Sequence, residues 1–290
     1  MIDFNKGTEI ANKFLGSEKK KTIIYNDDIY MVKFPDPVRK KNNPLSYMNN
    51  QYSEYIGCEI FRTCGFNTQE TILGTYKHKD GNISTVVGCK DFTQDGSILY
   101  EFSKFANALN DYTKKARLSI EDVELVIMTT EAISDNDKIL DRFWDVFVID
   151  ALIGHSDRHL DNWGLLEKEG TMVFAPVYDC GSALSPLIDE ENTKLLLNNE
   201  TDFVAVEYNV TSCYTIEQKR IFYHEIFKNP PKKLSEAIIR ITPKINMCEV
   251  HKIVNGTEGL SDERKEYLIK SLNIRYERII LPAYNNQKHA

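Results

Sequence analysis

Between residues 137 and 153 apolar side chains recur at Ile139, Leu140, Phe143, Trp144, Phe147, Val148, Ala151 and Leu152, advancing by one, three and four positions. That spacing predicts a helix with one broad buried stripe, and Gly154 is the residue type that ends a helix and releases the chain. Any fold of this chain must bury that helix and then accommodate Gly154-His155-Ser156-Asp157-Arg158-His159-Leu160-Asp161-Asn162-Trp163-Gly164 at its end. Residues 163–166 and 171–174 flank Glu167-Lys168-Glu169-Gly170 and read as a hairpin. The hairpin returns the chain to Tyr178-Asp179-Cys180-Gly181-Ser182 and so brings Asp179 near Asn162.

Asp157, Asn162 and Asp179 then stand on two neighbouring turns, a layout suited to phosphoryl transfer. A carboxylate at 157 can orient an attacking hydroxyl and take its proton. Asn162 and Asp179 supply the hard oxygen ligands that Mg²⁺ uses while it bridges nucleotide phosphates. His159 reads as an internal strut of the loop rather than a base. Asp and Asn are common loop residues, so Asp157 alone would mean little; the spaced set of three at element boundaries means more. A hydrolytic Zn²⁺ or Mn²⁺ site built on His155, Asp157 and His159 is the metal-centred alternative. The remaining histidines, 78, 224, 251 and 289, form no ligand cluster in the sequence.

Upstream, 22–25 and 29–34 read as strands joined through Asn26-Asp27-Asp28, 52–64 as a helix stopped by Gly65, and 71–76 and 83–89 as two more strands. In Ile29-Tyr30-Met31-Val32-Lys33-Phe34 the period of two puts Ile29, Met31 and Lys33 on one face. A lysine there either lines a cleft, with apolar cover for a base and an ammonium for phosphate, or blunts an edge strand. A cleft lysine needs a carboxylate, and the helix offers Glu54 and Glu59; periodicity does not choose between them. Gly16-Ser17 is the candidate phosphate-side turn. Beyond about Phe92 the character becomes helical, with helices expected over 216–227, 234–241 and 262–280, the last closed by Pro282. Strands first and helices after give an α+β, bilobed pattern, with a strand-rich part over 1–91 and a helical part over 92–290.

The net charge of −7 argues against a dedicated nucleic-acid surface, and Lys19-Lys20-Lys21 and Arg39-Lys40-Lys41 read as solvated loops. Six cysteines without a Cys-x-x-Cys pair, an N-terminus lacking an apolar leader core and no membrane-length apolar run lead to the expectation of a reduced, cytoplasmic protein.

These residues resemble the HipA-like serine/threonine kinases, a family with a divergent protein-kinase fold. Its stretch Asn-x-Asp-x-His-x-x-Asn is met by 155–162, with His155 in place of the first Asn, and its metal-binding Asp corresponds to Asp179. Lys33 in Tyr30-Met31-Val32-Lys33-Phe34-Pro35 matches the strand lysine. The family glutamate, eleven residues before a glycine, matches Glu54 before Gly65. Gly88-Cys89-Lys90-Asp91-Phe92 resembles the hinge whose backbone, at Lys90 and Phe92, meets adenine. The resemblance spans residues 14–186 and implies a kinase that uses ATP and Mg²⁺ on a protein serine or threonine. It further implies a short form without the extra N-terminal subdomain, a DNA-binding antitoxin as partner, and autophosphorylation at Ser17 in the nucleotide loop with Gly16. A nucleotide-binding pseudokinase acting as an interaction module, or a kinase of a small-molecule or lipid hydroxyl, are the competing expectations.

Overall fold

The computed structural model describes residues 1–14, 19–35, 49–109 and 119–288. Its first part is a six-stranded sheet made of β1 (Ile2–Asp3), β2 (Thr8–Ile10), β3 (Lys20–Tyr25), β4 (Asp28–Lys33), β5 (Thr71–Lys77) and β6 (Ile83–Lys90), in the order β1-β5-β6-β4-β3-β2. Helix α1 (Asn50–Thr63) crosses one face. The expected β3–β4 hairpin forms with Tyr25 opposite Asp28, so Asn26 and Asp27 alone make the turn, with φ of 50° and 65°. Asn and Asp tolerate that left-handed backbone, which suits the twist of a two-residue hairpin. Lys20 and Lys21 belong to β3 rather than to a loop; Lys21 pairs with Glu9 and donates to the Tyr76 hydroxyl.

Alternation along the strands divides two cores. Val32 and Val86 join Phe4, Ile23 and Phe34 on one face. Val87 and Cys89 turn the other way, towards Ile56 and Ile60 of α1 and the main core. Gly88 exists for Phe4: a Cβ there would sit 2.3 Å from the phenyl ring.

The second part is mostly helical. After β7 (Ile98–Glu101) come α2 (Phe102–Leu109), α3 (Ile120–Thr129) and α4 (Asn136–Ile153), then the hairpin β8 (Gly164–Lys168) and β9 (Thr171–Phe174), with β7 pairing on β8. Next are α5 (Glu190–Leu197), α6 (Glu200–Tyr208), the hairpin β10 (Thr211–Ile216) and β11 (Lys219–Phe222), α7 (Tyr223–Ile226), α8 (Lys232–Ile241), α9 (Met247–Gly256) and α10 (Asp262–Arg275). A π-turn over Tyr276–Ile280 leads into α11 (Leu281–Lys288). The chain is therefore α+β, with a strand-rich and a helical part, and among the described residues no helix is long and apolar enough to cross a membrane. All six cysteines are free thiols.

Helix α4 is more central than its stripe predicts, since every residue from Phe143 to Ile153 is buried. Its two deep carboxylates survive by pairing, Asp145 with Arg240 and Asp150 with Arg158. Gly154 closes it with φ of 65° and returns its N–H to Asp150 O.

Two helix expectations are also corrected. The span 216–227 is a hairpin and a short helix, because Glu217 and Gln218 turn the chain with φ of 48° and 66°. The last helix does not stop at Pro282. Just before it the Leu281 N–H reaches back to Tyr276 O, and this wider π-turn makes room for a ring that would otherwise press on the preceding turn.

Candidate active site

Lys33 ends β4 on the α1 face and is 5% exposed. Its ammonium lies 2.8 Å from Glu54 Oε2 and 2.8 Å from Asp179 Oδ1. A lysine is tolerated at that depth because two carboxylates flank it. The choice that periodicity left open falls on Glu54, which is fully buried, while Glu59 pairs with Arg62 at the rim. Glu54 does a second job, accepting the Cys180 N–H at 3.0 Å on Oε1, so α1 is fastened to the turn that carries Asp179. That turn is also tied to the sheet side, with Gln69 N–H donating to Val177 O and Val177 N–H to Asn67 O, both at 2.9 Å.

Asp179 itself sits at φ 56° with a third of its side chain exposed. Burial alone would raise its pKa, but the Lys33 ammonium outweighs it, with His155 and Arg158 adding to the effect, and holds the carboxyl at about 2. Asp157 is half exposed. Burial pushes its pKa up, His159 pulls it down, and the charge of Asp179 pushes it up again. Arg220, on the β10–β11 hairpin, adds a weaker downward pull on the same carboxyl. Asn162 is buried and donates from Nδ2 to Asp157 O at 2.7 Å, which leaves Oδ1 as the atom of its amide that could accept or ligate.

The loop is held from beneath by His155, which the sequence offered as a metal ligand or as the stand-in for the family's first Asn, and by Arg158, which it did not single out. His155 is fully buried: its Nδ1 accepts the Asp157 N–H at 3.2 Å and its Nε2 lies 2.9 Å from Asp179 O. Those partners require the neutral Nε2–H tautomer, and burial, helped by Arg158, pushes its pKa down to about 4. Arg158 grips both oxygens of Asp150, at 3.1 and 2.9 Å, and donates to Asn162 O at 3.2 Å and to Tyr178 O. The internal strut is thus His155, not His159. His159 is half exposed, its Nδ1 accepts the Asp161 N–H at 3.2 Å, and its Nε2 stands 4.0 Å from Asp157 Oδ2.

At the sheet edge, Lys90 N–H donates to Glu70 O at 2.8 Å and Lys90 O accepts from Gln69 Nε2 at 3.0 Å. Asp91 is buried; its carboxylate takes Thr93 N–H at 2.9 Å and pairs with Lys13. Phe92 rests its ring on Tyr178, centroids 5.9 Å apart. Gly16 and Ser17 lie outside the described residues. Among the described residues no cluster of three or more His, Cys, Asp or Glu side chains could hold a metal, so His155, Asp157 and His159 do not form the alternative Zn²⁺ or Mn²⁺ centre. His155 spends both ring nitrogens on backbone groups.

A strand lysine locked to a helix glutamate, facing a carboxylate turn and an Asp–Asn loop across a sheet-to-helix junction, is the arrangement of a protein-kinase-like fold. The HipA-like C-terminal domain family matches residues 13–241, and the chain belongs to that family and is a kinase-class enzyme. It is 35% identical over 268 residues to the serine/threonine-protein kinase CtkA of Helicobacter pylori, across 90% of this chain and 80% of that protein. The crystal structure of that proinflammatory kinase superposes with a TM-score of 0.90 at 33% identity, covering 99% of this chain and 98% of the other. HipA of Shewanella oneidensis, solved with HipB and operator DNA, shares the fold at a TM-score of 0.57 and 12% identity, over 97% of this chain and 68% of HipA.

Proposed function

We propose that the chain transfers the γ-phosphoryl group of ATP to a serine or threonine hydroxyl of a protein, with Mg²⁺. The observation that carries this reading is the Lys33 ammonium seated 2.8 Å from both Glu54 and Asp179. Glu54 fixes the ammonium where phosphate oxygens can meet it. Asp157 orients the acceptor hydroxyl and takes its proton as the new P–O bond forms and the bond from the γ-phosphorus to the leaving ADP oxygen breaks. His159 steadies the open side of that loop. The backbone of Lys90 and Phe92 meets the adenine edge, Lys90 O through its second lone pair, and Gly16 and Ser17 belong to the phosphate side. In this reading the strand-rich lobe runs to residue 91 and the helical lobe begins at 92.

The donor set fits Mg²⁺. Asp179 is held ionised, Asn162 offers an amide oxygen, and two protein oxygens are what this ion takes when phosphates supply others. Asp179 and Asn162 would hold the ion, which would supply positive charge where negative charge develops on the transferring phosphoryl group. Asp179→Ala is expected to abolish the Mg²⁺-dependent part of nucleotide binding. Calorimetry would then read the same weak affinity with and without EDTA; a persisting EDTA effect rejects the ligand role.

Two finer parts belong to the same reading: a small DNA-binding antitoxin-type partner, by analogy with HipA, and a cytoplasmic site of action. Direct nucleic-acid binding by this chain is not part of it, given the net charge of −7. Autophosphorylation at Ser17 is a third. Intact mass after Mg-ATP is expected to rise by one phosphate, about 80 Da, in the wild type and not in Asp157→Ala. Peptide mapping would place the addition between Phe14 and Lys19, and any other position removes Ser17. No mass gain together with no nucleotide binding would overturn the kinase reading.

A further inference from the structure

The segment after Asp179 has a backbone that its own residues do not favour. Asp179, Leu184 and Ser185 have φ of 56°, 59° and 52°; an aspartate tolerates this left-handed region, but Leu184 and Ser185 hold it against their own preference, where surrounding contacts enforce it. The contacts come from distant parts of the chain. Leu184 N–H donates to Ile153 O at 2.9 Å. Arg264 Nη2 donates to Leu184 O at 2.8 Å and to Ser185 O at 2.7 Å, and its Nη1 reaches Ile188 O at 3.4 Å. Ser185 Oγ donates to Glu207 Oε1 at 2.9 Å.

Glu207 is wholly buried on α6 and sits at the crossing of these links. The Tyr267 hydroxyl donates to its Oε1 and Arg275 Nη1 binds its Oε2. The same guanidinium donates from Nε to Leu152 O at 2.7 Å and packs against Gly154, where a Cβ would lie 3.0 Å from it. One carboxylate therefore joins the end of α4, where the Asp157 loop begins, to the left-handed pair that closes the Asp179 turn. Arg264, Tyr267 and Arg275 all lie beyond residue 241, where the family match ends.

We propose that Glu207 is a positioning residue for phosphoryl transfer: through Ser185 and Arg275 it keeps the Asp179 turn and the Asp157 loop in register with each other. This rests on the kinase reading above and assigns the C-terminal helices a part in it. A glutamine is a poor replacement for the carboxylate: it takes away the charge that faces Arg275, and with its oxygen kept on Arg275 its N–H₂ falls on the Ser185 and Tyr267 hydroxyls, which must then turn from donating to accepting. The link acts on the meeting of acceptor and phosphoryl group, so its loss lowers kcat and spares nucleotide affinity.

Ser185→Ala removes one O–H and nothing else from this network. With Mg-ATP and a mixed serine/threonine peptide library as acceptor, the single-turnover rate is expected to fall about tenfold, as a small misplacement far from the bond being made can cause. Affinity for Mg-ADP is expected to stay within about twofold. Amide exchange is expected to speed up over 183–188 and to remain slow in α4. Glu207→Gln should lose a similar factor, and the double variant no more than the worse single, because both break one link. If Glu207→Gln does not fold, Ser185→Ala decides alone. A wild-type rate in Ser185→Ala overturns the proposal and leaves the kinase reading standing, whereas absence of transfer by the wild type overturns both.

Discussion

Replacing Asp157 by alanine is expected to lower the single-turnover rate of phosphoryl transfer by roughly a thousandfold, within the range that one acid–base residue contributes. Affinity for Mg-ATP is expected to hold or to tighten slightly. The reason lies in how the loop is built. It is the backbone of residue 157, not its carboxylate, that anchors the loop: the N–H goes to His155 Nδ1 and the carbonyl accepts Asn162 Nδ2. Removing the side chain therefore leaves Asn162 and Asp179 where they are. It also removes a negative charge that repels Asp179, and with it some of the repulsion felt by an incoming triphosphate. Rapid-quench kinetics and calorimetry separate the two effects. An unchanged rate would sink the assignment of Asp157, and a loss of binding equal to the loss of rate would move its role to the nucleotide side.

The half of the site that local pattern reaches was legible in the chain. Lys33 stood out because a strand alternates, and a charge beside Met31 on the inward face needs a reason; the partner at 2.8 Å supplies it. Choosing Glu54 over Glu59 took the glycine spacing of the resemblance, since both residues lie on one helix and only packing against Cys180 and Lys33 tells them apart. Arg158 and His155 were within reach of the motif but hidden by it. Their partners, Asp150 and the carbonyl of Asp179, become neighbours only when α4, the loop and the β8–β9 hairpin fold together.

Farther along, sequence pattern fails for physical reasons. The turn at Glu217 and Gln218 is left-handed without a glycine or asparagine to announce it, so apolar residues at 216, 221, 222, 226 and 227 read as a helix. Helix α10 is rich in charge, and Arg264 and Arg275 look like its solvent side. Both are buried, because carbonyls at 184, 185 and 188 and the carboxylate of Glu207 stand against them. Helices α5, α6 and α9 and the edge strands β1 and β2 likewise escaped the pattern; the strands are two and three residues long, too short for alternation to register.

The Asp150–Arg158 pair separates stability from chemistry. Asp150→Ala leaves a guanidinium buried without its counter-charge, which costs about 3–5 kcal/mol and should lower Tm by roughly 5–15 °C for a chain of this size. Burial alone would weaken the charged form of Arg158, and the Asp150 carboxylate, with Cys180 beside it, more than reverses that; a guanidinium does not shed its proton in a protein, so the charge stays when its partner goes. Asp150→Leu combined with Arg158→Met fills similar volume without charge and is expected to recover most of the lost stability. Activity should not return with it. Arg158 also donates to Asn162 O and Tyr178 O, one on each side of the two turns, and methionine offers neither bond. Thermal melts and kcat measured on the single and double variants test this together. Recovery of both would reduce the pair to a structural element, while recovery of Tm alone would mark Arg158 as the brace that keeps Asn162 and Asp179 facing the same nucleotide.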